Sequence, residues 1–339
     1  MPDVARAPEA ALLAAARAGE KEAFRHLTEP CARELHVHCY RMLGSLHDAE
    51  DALQETLLRA WRHLADFEGR SSVRAWLYKI ATNVCLTAAA GRREGPPPVP
   101  QPAAGGGGDA LHLAPYPDAL LDELEAPLAN PAARYDLRES VQLAFLAAIQ
   151  LLPPRQRAVL ILRDVLGWSA REVADLLDSS VAGVNSALQR ARATLESLRL
   201  EGRLNTGRTV PPNEVERALL RRYVEAWEAV DIDGLVMLLK EDAVLTMPPF
   251  PFRYQGRSSI ADFFSSVPAG GALDQIRLLP TRANRQPALA AYVRDPDDGI
   301  HRAYGLMVLT LDGDTIAEIT GFADPTLFRL FGLPTELVG

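Results

Sequence analysis

The residues around position 185 carry side chains that can hydrogen-bond the edges of DNA bases. Asn185 and Gln189 can each make two hydrogen bonds to an adenine edge, whereas Arg190 and Arg192 suit phosphate oxygens better. On a helix that enters the major groove with its N-terminus first, the groove-facing positions are Ser180, Ala182, Gly183, Asn185, Ser186 and Gln189. The chemistry that these residues indicate is sequence-specific recognition of duplex DNA.

Two helices around a three-residue turn would hold these side chains in place. Residues 168–177 and 181–192 have apolar residues at helical spacing, with a short polar turn between them. The apolar positions that fix the crossing of a helix-turn-helix are Val173, Ala174 and Leu177 on the first helix and Val184 and Leu188 on the second. The competing interpretation is a pair of ordinary bundle helices without a role in DNA binding.

A second stretch, residues 67–83, interleaves basic, aromatic and small polar side chains. Single-stranded DNA needs this mixture, because unstacked bases pack on rings or enter polar pockets while cations follow the phosphates. Residues 70–93 also contain five basic side chains and no acidic one, a surplus that favours a phosphate backbone. For Trp76 and Tyr78 the alternative is a place in the core of a helical bundle.

Acidic and apolar side chains form a third group, on one face of a predicted helix. This stripe consists of Asp48, Asp51, Gln54, Glu55 and Leu58. Carboxylates flanked by apolar groups suit a basic surface on a protein partner. The alternative interpretation is an ordinary solvated helix face.

The formal net charge of −8 looks unsuited to DNA until it is divided along the 339 residues. Residues 1–95 have 13 basic and 13 acidic groups, and residues 134–203 have ten basic and eight acidic ones. Residues 96–133 have no basic group and five acidic ones, and residues 204–339 have 13 basic and 18 acidic ones. The acidic surplus therefore lies outside both candidate DNA-binding stretches.

Several classes of protein are disfavoured by the composition. No apolar run reaches the roughly 18 residues of a membrane span, and the N-terminus lacks the order of a secretion signal. We therefore expect a cytoplasmic protein that does not bind membranes. Cys31, Cys39 and Cys85 lack CxxC spacing and argue against a disulfide scaffold. On a helix His36 points away from the face that His38 shares with the first two cysteines, so neither a metal site nor a cofactor is expected.

Changes in composition divide the chain into three blocks joined by two linkers. Glycine and proline dominate the first linker, and its apolar island 116–121 is a candidate for docking on a neighbouring domain. The predicted domains are residues 9–92, 134–203 and 213–335, with linkers at 93–133 and 204–212. We predict a multidomain fold with two all-α helical domains followed by one α+β domain. In the last domain, helices are predicted at 213–230, 232–240 and 258–266, before strands at 288–294 and 305–311.

Several segments in register resemble regions 2 and 4 of bacterial sigma-70 factors of the extracytoplasmic-function (ECF) group. They are Asp48-Ala-Glu-Asp-Ala-Leu-Gln-Glu55, Arg74-Ala-Trp-Leu-Tyr-Lys-Ile-Ala-Thr-Asn83, Leu152-Pro-Pro-Arg-Gln-Arg157 and the helix-turn-helix. The resemblance covers roughly residues 20–200. It implies a sigma factor that directs core RNA polymerase to promoters and initiates transcription.

The resemblance also implies the partners of each surface, namely core polymerase through its β′ clamp helices and β flap, and promoter DNA. The β′ clamp helices would bind Asp48, Asp51, Gln54, Glu55 and Leu58. The −10 element would be read and opened by Arg70, Ser71, Ser72, Arg74, Trp76, Tyr78, Lys79, Thr82 and Asn83. The −35 element would be read by Arg155, Ser179, Ser180, Ala182, Asn185, Ser186, Gln189, Arg190 and Arg192.

The last block resembles the SnoaL-like branch of the NTF2-like fold, in which a curved sheet and helices form a cone. The similar segments are Tyr223-Val-Glu-Ala-Trp227, Asp231-Ile-Asp-Gly-Leu235, Met247-Pro-Pro249 and Phe252-Arg-Tyr-Gln-Gly-Arg257. Such a cone commonly holds a small molecule, and the candidate lining residues are Trp227, Met247, Phe250, Tyr254, Phe263, His301, Tyr304 and Asp324.

Two roles of this block stay open, because a fold does not define a function. A pair of His301 and Asp324 could move protons in an enzyme. We favour a non-catalytic module that contacts the other domains or binds a small-molecule effector, and that modulates the sigma activity. For the whole chain the alternative is a ligand-responsive helix-turn-helix regulator, which would leave residues 67–83 without a role.

Overall fold

The computed structural model describes residues 6–91, 113–125, 142–200 and 214–337. Two compact units make up the chain. The first comprises Met1–Pro97 and Leu146–Leu204, and the second comprises Pro98–Phe145 and Asn205–Gly339. The predicted linker 204–212 lies outside the described residues, as does the predicted linker 93–133 apart from residues 113–125.

The first unit is helical, as the periodicity of its sequence predicts. Its N-terminal part contains α1 (Arg6–Arg17), α2 (Lys21–Leu43), α3 (Leu46–Arg62) and α4 (Val73–Gly91). Helix α5 (Asp118–Glu125) follows in the chain and belongs to the second unit. The next helix, α6 (Leu143–Gln150), contains the boundary between the two units, at Leu146. The first unit then continues with α7 (Pro154–Leu160) and a π-helical turn (Ile161–Val165), α8 (Ala170–Leu176) and α9 (Val181–Leu200).

Local interactions set the helix boundaries that position the candidate sites. Gly44 adopts a left-handed conformation with φ of 74°, and its N–H donates to the carbonyl of Tyr40 to end α2. Ser45 then caps α3 by accepting a hydrogen bond from the backbone of Asp48. Pro154 begins α7, where its fixed φ costs nothing. The acidic stripe and the Leu152–Arg157 segment are therefore both placed by their own sequences.

Helices α8 and α9 form the predicted helix-turn-helix. Ser169 and Glu172 make a reciprocal capping box at the start of α8. The packing between the two helices is apolar, since Val173, Val184 and Leu188 are buried. The prediction of two helices around a turn at 178–180 is confirmed.

The second unit combines helices with a seven-stranded sheet. Its helices are α10 (Glu214–Glu228), α11 (Ile232–Met237), α12 (Arg257–Ser266) and α13 (Leu327–Leu330). Its strands are β1 (Leu239–Met247), β2 (Phe250–Gln255), β3 (Ile276–Ala283), β4 (Gln286–Arg294), β5 (His301–Asp312), β6 (Thr315–Phe322) and β7 (Glu336–Leu337). The strand order is β2-β1-β6-β5-β4-β3, with β7 paired to β5. Only the β1–β6 pair is parallel among the described strands.

The core of the second unit lies between α10, α12 and one face of the sheet. Trp227 on α10 meets Phe264 on α12 edge to face, with ring centroids 5.6 Å apart. Leu245 and Ile319 of the central strands pack in the same buried cluster. The predicted α+β fold is confirmed.

Two predicted boundaries in this unit need correction. The helix predicted at 232–240 ends at Met237, and β1 starts at Leu239. Leu239 is fully buried and pairs with Ile316 of β6, so sheet pairing overrides the helical pattern of the sequence. The first predicted linker, residues 93–133, is likewise not entirely without secondary structure, because residues 118–125 within it form helix α5.

Candidate functional site

The acidic stripe lies on the exposed side of α3. Asp51, Gln54 and Leu58 are exposed, while Asp48 and Glu55 are half-buried. The opposite face of the helix packs into the bundle through Leu46, Ala49, Ala52, Thr56 and Ala60. Glu55 also accepts a 2.6 Å hydrogen bond from Arg59 one turn later. The surface thus combines carboxylates with an uncovered leucine that is 43% exposed.

The loop before α4 and the start of that helix present most of the residues predicted to read the −10 element. Arg70, Ser71, Ser72, Arg74 and Asn83 are exposed, and Trp76 and Lys79 are half-buried. The hydroxyl of Ser72 accepts a hydrogen bond from the backbone of Ala75 and so caps the first turn. Trp76 packs on Phe67 with a centroid distance of 4.8 Å and an angle of 34° between the rings, which holds the loop against the helix.

Tyr78 and Thr82 are a correction to the predicted set, because both are completely buried. They lie on the side of α4 that faces α2, where His38 Nε2 is 2.9 Å from the hydroxyl oxygen of Thr82. The Thr82 hydroxyl donates its only hydrogen to the Tyr78 carbonyl, so His38 must be the donor in their contact. Neither Tyr78 nor Thr82 can contact DNA in this arrangement.

Arg74 is held by an acidic neighbour. Its guanidinium donates two hydrogen bonds of 2.7 and 2.8 Å to Glu34 on α2 and lies 5.0 Å from the ring centroid of Tyr78. The hydrogen bonds to Glu34 raise the pKa of Arg74. The side chain is therefore fixed in a forked geometry that leaves nearly half of it open to solvent.

The buried histidines of α2 predict that acid destabilises the first unit. Burial, with the charge of Arg41, lowers the pKa of His38 to about 3, and burial lowers the pKa of His36 to about 4. Both pKa values in the folded state lie below the value in the unfolded state, so the two neutral histidines favour the folded state above pH 6.5. This contribution to the unfolding free energy is lost as the pH falls toward 3. Between pH 7.5 and pH 5, His38 alone should cost about 2 kcal/mol.

This loss can be measured by urea unfolding followed by tryptophan fluorescence. A Trp227→Phe background would make the signal report on the first unit, which holds the other three tryptophans. His38→Gln should give a shallower decline of the unfolding free energy with pH, because one titrating group is gone. An unchanged decline would contradict the assignment of a neutral His38.

The nine residues predicted to read the −35 element are all exposed, on α9, at its turn and at the start of α7. Ser180 accepts a 3.0 Å hydrogen bond from the backbone of Gly183 and caps α9. A Cβ at Gly183 would approach the Ser179 hydroxyl to 3.0 Å, so glycine keeps this corner open. Some candidates have intramolecular partners, since Arg192 is held by Asp164 in two hydrogen bonds of 2.6 and 2.8 Å.

The two candidate DNA-binding surfaces touch each other within the first unit. Lys79 on α4 donates a 2.7 Å hydrogen bond to Asp178 in the turn before α9 and a 3.3 Å one to the carbonyl of Asp175. The rings of Tyr78 and Trp168 approach to a centroid distance of 5.3 Å alongside this pair. Sequence reasoning did not identify this contact, because Lys79 and Asp178 are 99 residues apart.

The apolar island of the first linker is docked within the second unit. Tyr116 and Asn284, in the turn between β3 and β4, exchange two hydrogen bonds of 2.7 and 2.9 Å. Tyr116 is fully buried there, as is Leu121. Asn284 and Arg285 both have positive φ, which gives the turn the twist that a tight hairpin needs. The prediction that this island docks on a neighbouring domain is supported by these contacts.

A buried ion cluster reinforces this contact, which we call the linker dock (residues 116–122 against residues 282–286). Asp118 accepts a 2.7 Å hydrogen bond from the Arg285 backbone and a 3.1 Å one from the Arg282 guanidinium. Burial raises the pKa of Asp118, and the hydrogen bond and both arginines oppose that shift. Arg282 also pairs with Glu216, and Arg285 with Asp122. Sequence reasoning did not identify these arginines, because only the fold brings them to the linker.

A cavity opens inside the cone of the second unit, between α10, α12 and the sheet. It contains about 620 Å³ of space free of protein atoms, its open mouth included. Four predicted residues line it, namely Trp227, Met247, Phe263 and Tyr304. Four others do not, namely Phe250, Tyr254, His301 and Asp324. Tyr254 packs behind Phe263 at a centroid distance of 4.9 Å.

The structure does not form the proton-transfer pair considered for His301 and Asp324. Asp324 is exposed and accepts hydrogen bonds from the backbone and hydroxyl of Thr326. His301 is buried where β5 pairs with Leu337 of β7. Burial, with Arg277 and Arg294, lowers the pKa of His301.

Two further searches covered only the part of the chain that the structure describes. None of its helices is long and apolar enough to cross a membrane. No group of three or more His, Cys, Asp or Glu side chains is arranged to hold a metal ion among those residues.

Comparisons with known proteins give matches along most of the chain. Models of Sigma-70 region 2, Sigma-70 region 4 and the SnoaL-like domain match residues 27–94, 142–195 and 220–319. The ECF RNA polymerase sigma factor SigG of Mycobacterium tuberculosis is 46% identical over 319 residues, covering 91% of this chain and 84% of SigG. SigM of the same organism is 33% identical over 200 residues, covering 59% of this chain and 87% of SigM.

Among solved structures, the crystal structure of the Mycobacterium tuberculosis ECF sigma factor SigJ matches with a TM-score of 0.60. The match covers 91% of this chain and 98% of SigJ at 21% sequence identity. At that identity the likeness shows a shared fold.

Proposed function

This chain belongs to the ECF sigma factors of RNA polymerase, and from that membership we propose which of its surfaces meet polymerase and promoter. The stripe on α3 binds the β′ clamp helices of the core enzyme. The observation that carries this proposal is the exposure of Asp51, Gln54 and Leu58 on a helix whose other face is buried. One exposed and two half-buried carboxylates around an uncovered leucine suit a partner that is basic and partly apolar.

The −10 element is the partner of the loop before α4 and of the exposed side of that helix. Arg70, Arg74 and Lys79 meet phosphates, and the small polar side chains at positions 71, 72 and 83 meet bases. Trp76 remains a candidate stacking surface because it is half-buried. Tyr78 and Thr82 act behind this surface by holding α4 against α2.

The −35 element is the partner of α9, with Asn185 and Gln189 as the side chains that read bases. Arg155, Arg190 and Arg192 contact phosphates, and the β flap of the core enzyme is the protein partner of this module. Asn185 and Gln189 are both exposed on α9.

Asn185→Ala should relax base preference within the −35 element. A bidentate side-chain contact contributes about 1 to 3 kcal/mol of discrimination against the wrong base. Transcription from promoters with each −35 base changed in turn would measure the effect. Arg190→Ala is the matched control, because a phosphate contact should weaken all promoters about equally. Equal base preference in Asn185→Ala and the parent would exclude Asn185 as a reading residue.

Reading both elements requires the first unit to open. By their positions the two elements are about 25 base pairs apart, or about 85 Å of duplex at 3.4 Å per base pair. Lys79 and Asp178 are in hydrogen-bond contact, so α4 and the start of α9 cannot reach both elements at once. The arrangement described here is therefore the closed form of the protein.

We further infer that the last domain modulates transcription through the linker dock. The segment that it holds lies between the −10-reading and −35-reading modules in the chain, so its release sets how far the modules can separate. Asp118 and both arginines are largely buried, which makes this contact more than a surface ion pair. A small-molecule effector that binds this domain would act on β3 and β4, because the turn between these strands forms one side of the linker dock.

Asp118→Ala should free the linker and raise transcription several-fold. Removing one partner from a buried ion cluster costs about 3 kcal/mol. This corresponds to a roughly hundredfold larger population of the state in which the linker segment is released. Hydrogen exchange of residues 113–125 and transcription in vitro would report the two effects. Asp122→Ala is the control, because Asp122 pairs with Arg285 from a side chain that is 68% exposed. Equal exchange in both variants would contradict the role of the dock.

Transcription in vitro with core polymerase tests the assignment of the surfaces as a whole. The protein, intact or truncated at Leu204, would be mixed with core enzyme and a promoter library. Promoter-specific transcripts from both forms are expected, with more from the truncated one. Duplex DNA binding without any transcripts would instead favour a helix-turn-helix regulator.

A further inference from the structure

The loop that joins α3 to α4 is held by a side chain from a third helix. Arg17, in the last turn of α1, donates a 3.3 Å hydrogen bond from Nε to the carbonyl of Leu64. Its Nη2 donates a second hydrogen bond to the carbonyl of Phe67. Both acceptor residues have buried side chains, which are 3% and 6% exposed. The guanidinium therefore ties together two backbone carbonyls, three residues apart, at the beginning of the loop.

We infer that Arg17 is a positioning residue for the reading of the −10 element, an inference that rests on the proposed −10 surface. Arg17 acts through the backbone of Phe67, which comes directly before the exposed residues 68–72. Three of the side chains proposed to contact the −10 element lie on those five residues. Fixing the carbonyl of Phe67 thus fixes the point from which they project.

The other restraints on this loop lie at its two ends. The Phe67 ring packs on Trp76 of α4, so Phe67 is held by its ring from α4 and by its carbonyl from α1. At the far end, the Ser72 hydroxyl accepts a 3.1 Å hydrogen bond from the backbone of Ala75. Residues 68–72 are therefore suspended between two fixed points. A loop that is ordered before it meets DNA does not lose that conformational freedom on binding.

An arginine suits this task for geometric reasons. Its N–H groups form a rigid planar fork that can reach two acceptors at once, whereas lysine carries all its donors on one flexible nitrogen. The carbonyl of Leu64 also follows the C-terminal end of α3, where a cation is favoured. Ala16, the neighbour of Arg17, is buried, so α1 lies against the bundle and holds the fork in place.

A direct contact with a DNA phosphate is the competing role for Arg17, because the residue is exposed. A phosphate contact should weaken all promoters about equally, and lysine should largely preserve it. A positioning role should instead alter the preference among −10 bases, and lysine should not restore it, because the fork is lost. The two roles therefore predict opposite results for Arg17→Lys.

Transcription in vitro by core polymerase and the full chain tests the inference, with promoters in which each −10 base is changed in turn. Arg17→Ala and Arg17→Lys should each lower transcription from the preferred promoter by about tenfold and reduce the preference among bases. The matched control is Arg25→Ala, which removes an arginine that is 56% exposed and pairs with Glu22 and Glu29. The control should keep full activity, and all three variants should keep the parent affinity for core enzyme.

Hydrogen exchange measures the same anchor in the absence of DNA. The amides of Leu64, Asp66 and Phe67 donate to carbonyls within the turn that Arg17 holds. They should exchange faster in Arg17→Ala and Arg17→Lys than in the parent, and at the parent rate in Arg25→Ala. Unchanged exchange in the two Arg17 variants would overturn the inference, as would equal loss at all promoters or full activity of Arg17→Lys.

The −10 surface itself is tested separately by Ser71→Ala and Asn83→Ala, which remove exposed side chains proposed to meet bases. If these variants alter the preference among −10 bases and Arg17→Ala does not, the positioning role is wrong and the −10 surface stands. If neither variant alters the preference, the proposed −10 surface fails and the positioning role fails with it.

Discussion

Joining α4 covalently to the turn before α9 should reduce promoter-dependent transcription to background. The variant carries Lys79→Cys and Asp178→Cys, at positions whose Lys79 Nζ and Asp178 Oδ1 atoms are 2.7 Å apart. A cleavable bismaleimide would then hold the first unit closed. Because the −10 and −35 elements are far apart on duplex DNA, the joined surfaces could not read them together. The measurement is transcription from a −10/−35 promoter before and after cross-linking.

The natural cysteines interfere little with this experiment. Cys39 and Cys85 are buried. Burial, with Glu34 nearby, raises the pKa of the Cys31 thiol to about 11, so little reactive thiolate is present at neutral pH. A monofunctional maleimide on the same double variant is the matched control, and cleaving the cross-link should restore transcription. Full activity of the cross-linked protein would show that opening is not required.

The helical modules could be predicted from the sequence because their signals are local. The capping box at Ser169 and Glu172 and the apolar positions of α8 and α9 lie within about 20 residues of one another. Such signals need no knowledge of distant contacts. The same holds for the α3 stripe, whose exposed and buried faces follow directly from helical periodicity.

The set of −10 residues could be predicted only in part. Periodicity alone does not say which side of α4 faces α2, since aromatic and small polar residues occur on both sides. Thr82 is buried because it contacts His38 on α2, which is 44 residues away in the sequence. The closed form depends likewise on the pair of Lys79 and Asp178, which is a long-range contact.

The second unit shows the same limit more strongly. The island at 116–121 could be recognised as apolar, but its partners Arg282 and Asn284 come together only in the folded hairpin. In the cavity, aromatic candidates were identified by type, whereas Gly321 and Ala291 have no side-chain signal at all. The uncharged lining is formed jointly by residues from several strands and helices, so no single sequence motif predicts it.

Reversing one charge in the α3 stripe should remove most core-dependent activity. Asp51 is exposed, and its only ion-pair partner among the described residues is His47 at 3.7 Å, so Asp51→Arg should leave the fold intact. A cation facing a basic partner both loses an attraction and adds a repulsion. A central position in an interface is worth at least about 2 kcal/mol, or about thirtyfold in affinity.

Affinity for core polymerase and transcription at limiting core enzyme would measure this loss. The control is Asp66→Arg, an equal charge reversal at a side chain that is 79% exposed and lies beyond the stripe. Both variants have the same net charge, so a general electrostatic effect would lower their affinities equally. A selective loss with Asp51→Arg assigns the stripe to polymerase binding, whereas equal losses would reduce it to a solvated helix face.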